Sequence, residues 1–350
     1  MQYRAVARGE GWERRVAGCV LVHDVRDDQG GVRVDKGRVL AEADVERLGV
    51  LPWTELHVAT LDVGDVHEDE AGTALACAAA GEGVRVGSRS AGHWPLVAER
   101  RGIVEIAVES LTKVNAHEGL AVYTLFHGHV VDDGEVVGRA KITPFAVPRP
   151  ALDAATETAR AARGLIRVRG FRHARLGAVV LESLAQRNPA AIGRFGVSLG
   201  EKTRWFGAEL VAPIAVEPNR EAVATALRRL IRDGCDVIVV AGTRAMDELD
   251  PSFLALADIG AERVRQGVPA HPGSLLWIAH ADRVPVLGLP SCGLFSEATV
   301  FDLVLPRMLT GEEIGAPELA ALGHGGFLTR EIAYRFPPYR PSRRRGEVVD

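Results

Sequence analysis

The chain has 350 residues, 47% of them hydrophobic and 25% charged, with a formal net charge of −4. That length suits two domains with full cores, and the slight excess of acid gives no overall basic field, so nucleic acid is a poor default partner. Cys19, Cys77, Cys235 and Cys292 are widely spaced and form no CxxC pair. This disfavours a zinc knuckle or a disulfide framework, and it predicts a reducing, cytoplasmic setting. Met1 is followed by no apolar leader, and no apolar run approaches the roughly 20 residues of a membrane span.

The first half reads as strands and turns. Residues 16–25 alternate and break at an acidic loop ending in Gly30-Gly31, a hairpin signal. A turn at residues 35–38 and a short helix at 42–48 follow, then a strand at 56–61. Residues 65–80 turn helical, with Glu68, Asp69 and Glu70 in the first turn, where they complement the helix dipole, and Gly81 stops the helix. Strands are predicted at 84–86, 102–108, 120–125 and 136–144, with Asp132-Asp133-Gly134 as turn chemistry. Prolines at 144, 148 and 150 mark an extended stretch, which places a domain boundary near residue 150. The expected layout is a β-rich α+β domain over 1–150, an α/β domain over 151–325, and a basic Pro/Arg-rich tail over 326–350, mobile at residues 336–345.

The grammar then alternates. After an Ala-rich helix at 151–163 come a strand at 176–181, turn and helix at 184–197, an ambiguous piece at 203–208, and a strand at 210–216. Asn219 caps a helix to about residue 233, Gly234 ends it, and an apolar strand occupies 237–241. Strands near 267, 275–278 and 284–287 precede a final helix to Met308, capped by Ser296. Strand–helix units of this length argue for a mostly parallel sheet flanked by helices, whose ligands sit beyond the carboxyl ends of the strands.

Three turns fall at such ends. Gly242-Thr243 follows a buried strand, where a glycine lets a phosphate approach the backbone and a helix start favours an anion; a plain strand-to-helix turn uses the same residues. Asp247, Glu248 and Asp250 crowd the next loop. Asp247 and Asp250 are candidate Mg²⁺ ligands beside a bound phosphate, although capping ahead of Pro251 also explains Asp250. Pro272-Gly273-Ser274 and Pro290-Ser291-Cys292-Gly293 are apolar-to-turn switches in which proline sets one dihedral and glycine frees another. Cys292 could be a nucleophile, but with no histidine near it in sequence it reads rather as a small buried residue, and Glu297 reads equally as a dipole complement or a catalyst. His127 and His129 are expected on one strand face, which a metal could use, with no third ligand in view. Arg172, His173 and Arg175 form a basic spot.

The order and spacing of these turns resemble the molybdopterin-binding domain shared by bacterial molybdopterin molybdotransferase, gephyrin and Mog-type adenylyltransferases. The resemblance covers roughly residues 165–315. Residues 241–247 match the family's Gly-Gly-x-Ser-x-Gly-Asp-like turn. Residues 272–275 match its Pro-Gly-Lys-Pro-like turn, and residues 289–293, with Pro306 and Gly311 beyond, match its Leu-Pro-Gly-Asn-Pro segment. Ala241, Arg244, Met246, Ser274 and Cys292 depart from that pattern, and Glu182-Ser183 stands where the family shows a Thr-Gly-Asp-Glu-like turn. The resemblance implies a three-layer α/β/α Mog-type domain and molybdopterin, or its adenylylated or metal-loaded form, as ligand. In it, Gly242, Thr243 and Asp247 would meet phosphate or Mg²⁺, Asp247 would be the one catalytic candidate, and residues 272–274 and 290–293 would wall the pterin. It further implies a role in molybdenum cofactor biosynthesis with ATP or AMP involved, a homo-oligomer, and apo-molybdoenzymes as partners. Three readings stay open: a molybdotransferase-like transferase, a non-catalytic cofactor carrier, and an unrelated α/β nucleotide-binding protein.

Overall fold

The structure, a computed structural model, describes residues 1–183, 190–289, 298–337 and 339. It divides into two compact units: residues 1–99, 105–126 and 133–168 form one, and residues 100–104, 127–132 and 169 onward form the other.

The first unit opens with a small antiparallel sheet of Gln2–Ala7, Glu55–Thr60 and Val20–Leu21, next to the expected hairpin of Val25–Arg26 and Val32–Val34. Its core gathers Val6, Leu21, Leu40, Leu48 and Leu56 around the edge-to-face pair Trp12–Trp53. A second antiparallel sheet runs in the order Leu120–Thr124, Val136–Ile142, His93–Ala98, Val84–Val86. The Glu68–Ala79 helix packs on one face of it, and the helices Val108–Asn115 and Arg149–Ala161 pack alongside. Gly72 makes the close approach feasible, since a Cβ there would lie 2.3 Å from the Trp94 ring. Strand Asp65–His67 precedes that helix, where the sequence reading put helix from residue 65. Glu68 is 6% exposed, and burial pushes its carboxyl above the usual range against the pull of Arg89.

The second unit is built on a seven-stranded sheet. Strand Arg175–Leu181 pairs in parallel with Val237–Ala241 on one side and with Glu209–Leu210 and Ile214–Val216 on the other. Val237–Ala241 pairs in parallel with Val284–Leu289, and Trp277–Ala281 and Glu262–Gln266 then extend the sheet antiparallel. Both faces are covered. Leu176, Ala178, Val180 and Val239 pack with the helices Ala191–Trp205 and Val300–Leu309, whereas Val179, Leu181, Ile238 and Val240 pack with Arg220–Arg232 and Pro251–Asp258. Burial on both sides is why these strands read as continuous apolar runs. Ile103 and Val130, paired across their own two strands, join the first of these cores.

Several local expectations shift. The Val300–Leu309 helix is capped by Thr299, whose hydroxyl accepts from the Phe301 amide at 3.2 Å, whereas Ser296, Glu297 and the stretch Pro290–Gly293 lie outside the described residues. His127 sits exposed on a turn with Gly128 at φ 79°, and His129 is buried beyond it, so the two do not share a strand face. No group of three or more metal-ligating side chains occurs among the described residues. The tail is anchored for part of its length. Residues 326–328 run beside His271, Phe336 is buried, and the Tyr339 ring packs against Trp205 and Phe206.

Candidate functional site

Strand polarity decides what can meet what. In the parallel set, Leu181 lies opposite Val216, Val180 opposite Ala241, and Ala241 opposite Leu289, so four strands end side by side. Strand Trp277–Ala281 is antiparallel to Val284–Leu289, which brings its beginning, and the turn before it, to that same edge. Four segments distant in sequence are thereby gathered: residues 182–183, 242–250, 271–275 and the end of Val284–Leu289. Arg175 stands at the opposite end of its strand, where its amide donates to Asp236 at 2.8 Å. Arg172 packs over Gly311 and its amide donates to the Leu309 carbonyl, so these basic residues lie away from the turns.

Gly242 has φ 91° and donates its amide to Leu289 at 3.1 Å, tying the first turn to the adjacent strand end. A side chain at that φ would strain the backbone. Thr243 points inward. It is 6% exposed, and its hydroxyl accepts from the Trp277 indole at 3.3 Å. Trp277 is itself fully buried against Gly288, where a Cβ would fall 1.8 Å from the ring. The Thr243 hydroxyl therefore ties the turn to the Trp277 indole.

The acidic loop sorts into three roles. Asp250, 2% exposed, accepts from the Arg244 amide at 2.8 Å and the Ser252 amide at 2.9 Å, so one oxygen pins the loop and the other caps the Pro251–Asp258 helix. Glu248 pairs with Arg263 at 2.9 Å. Asp247 is half-buried and uses one oxygen to accept from the Leu249 amide at 3.0 Å. Of the two candidate Mg²⁺ ligands, Asp250 is thus held by two backbone amides and Asp247 by one. Asp247 fits as a single carboxylate to an ion that also takes phosphate oxygens.

The Pro272-Gly273-Ser274 turn packs on the start of the Val300–Leu309 helix. The Val300 amide donates to the Pro272 carbonyl at 3.0 Å, and a Cβ on Gly273 (φ 105°) would approach Val300 to 3.3 Å. Close by is a cluster that the turns do not signal. Lys202 and Asp302 form a buried ion pair at 2.6 Å, and Asp302 also accepts from the Thr299 amide and hydroxyl at 2.9 and 3.0 Å. The Lys202 ammonium stands 5.2 Å from the Tyr339 ring centre. Burial, with the Asp302 charge beside it, holds the Tyr339 phenol well above its usual pKa. The Thr299-x-x-Asp302 spacing is a capping-box pattern visible in the sequence, but nothing in the sequence singles out Lys202 within its helix.

No protein-family model and no curated protein matches the chain. Solved structures do. A molybdenum cofactor biosynthesis protein from Pyrococcus furiosus is 12% identical over 89% of this chain, at a TM-score of 0.26, and this chain spans 65% of its length. A molybdopterin biosynthesis MoeA protein from Pyrococcus horikosii is 15% identical over 70% of this chain and 79% of its own, at a TM-score of 0.30. A MogA structure is 19% identical over 39% of this chain and 98% of its own, at a TM-score of 0.28.

Proposed function

We propose that the carboxyl edge of the second unit's sheet binds a phosphorylated pterin of the molybdopterin class, and that the chain handles this molecule as a cofactor-binding or carrier protein. The convergence of the turns at residues 182–183, 242–250 and 271–275 on one sheet edge carries this reading, because these are the segments whose sequences resemble the molybdopterin-binding domain. The backbone at Gly242-Thr243 would receive the phosphate, Asp247 would hold a Mg²⁺ shared with its oxygens, and Pro272-Gly273-Ser274 would wall the ring. Pro290, Ser291, Cys292 and Gly293 enter on the sequence resemblance alone.

Binding is favoured over metal insertion because the acids are already committed. Asp250 caps a helix and Glu248 is paired with Arg263, which leaves Asp247 as the one candidate catalytic carboxylate in the loop. Titration calorimetry of the full chain with molybdopterin, with and without Mg²⁺, tests the proposal. Saturable binding that Asp247→Asn weakens about tenfold, the loss of one charge-assisted contact, supports it. Absence of binding heat, together with absence of an oxidisable fluorescent pterin in freshly isolated protein, overturns it. Molybdate insertion with ATP and Mg²⁺ that Asp247→Asn abolishes would establish the transferase reading instead.

A further inference from the structure

We propose that the open face of the four-stranded sheet in the first unit is a docking surface for an acidic segment of a partner protein. The register defines the face. Tyr123 lies opposite Arg139, which lies opposite Pro95. One pleat along, Ala121 lies opposite Lys141, which lies opposite His93. Cross-strand partners point to the same side, and the His93 and Tyr123 rings, 6.3 Å apart, confirm it. Arg85 joins them through its pairing with Val97, which shares the side of His93 and Pro95. The alternate residues Leu120, Val122, Trp94, Leu96, Ala140 and Ile142 are buried on the other side, where the Glu68–Ala79 helix covers the sheet.

Arg85, Arg139, Lys141 and His93 therefore share a face to which these strands contribute no carboxylate. Arg85, Arg139 and Tyr123 are exposed, and Arg85 and Arg139 enter no ion pair among the described residues. Glu68, whose carboxyl feels the charge of Lys141, is buried and already held by Arg89 at 2.9 Å, and Asp69 is held by the same arginine at 2.9 Å. In a chain of net charge −4, such a face is a local exception to the overall field.

Charge complementarity names the occupant as acidic, and the rest of the molecule decides which kind. A long polyanion such as a nucleic acid would meet the repulsion of the whole chain, whereas an acidic loop or tail on a folded partner needs only the local patch. Four strands span about 15 Å, a size that suits a transient, salt-dependent encounter more than a permanent interface.

The test uses the full chain and fluorescein-labelled polyglutamate, read by fluorescence polarisation at low and high salt. The expected result is salt-sensitive binding that Arg85→Glu/Arg139→Glu/Lys141→Glu weakens at least tenfold, while Arg232→Glu on a helix of the second unit leaves it unchanged. Arg139→Gln/Lys141→Gln, which introduces no new charge, should show an intermediate loss and guards against misfolding of the reversal. Equal binding by wild type and both variants overturns the proposal. So does tighter binding of single-stranded oligothymidylate than of polyglutamate. A wild-type oligomer that the reversal dissociates in sedimentation would reassign the face to a second copy of the chain and overturn it as well.

Discussion

Asp250 takes amide hydrogens from Arg244 and Ser252 with its two oxygens, whereas Asp247 takes one from Leu249. The two aspartates should therefore fail differently. Asp250→Ala removes a helix cap and the pin of the loop, and is expected to cost about 1–2 kcal/mol in urea denaturation. Asp247→Asn is expected to change stability by less than about 0.5 kcal/mol. The capping role was legible, because Pro251 at the first helical position makes Asp250 the natural cap. The fate of the Thr243 hydroxyl was not. Its partner, Trp277, lies 34 residues away and reaches it only because Gly288 leaves room for the indole. A contact made by the fold leaves no mark in a local pattern.

Elements followed the same division. The strands Arg175–Leu181, Val237–Ala241 and Val284–Leu289 were legible because burial on both faces demands unbroken apolar runs. The Val108–Asn115 helix and the His93–Ala98 strand were missed. The helix buries only Val114, so it carries little amphipathic signal, and the strand has Pro95 at its centre. The Val300–Leu309 helix was found, but its cap lies at Thr299, whose hydroxyl accepts from the Phe301 amide while the Asp302 carboxylate accepts from the Thr299 amide. Thr299→Ala is expected to cost about 1 kcal/mol. Because the Pro272 carbonyl accepts from the Val300 amide, fraying there should also speed hydrogen exchange at Val300.

At the scale of the molecule, the chain does not divide at a single cut. The helix Arg149–Ala161 packs on the helices of the first unit, and Ile103 and Val130 belong to the core of the second. A fragment of residues 151–350 would lack both apolar side chains and is expected to unfold at lower urea than the second unit within the full chain. Coincident transitions would refute this. Sequence reading looks for one linker between domains and has no signal for two short segments lent from one half to the other. The packing of Trp277 has an optical consequence. Of the five tryptophans, it is the one whose dry indole is hydrogen-bonded to the candidate site's own turn, so its emission should sit at the blue edge of the spectrum. Any molecule that seats on Gly242-Thr243 would disturb that bond, and the difference between wild type and Trp277→Phe should isolate the signal. The protein would then report its own occupancy without a label.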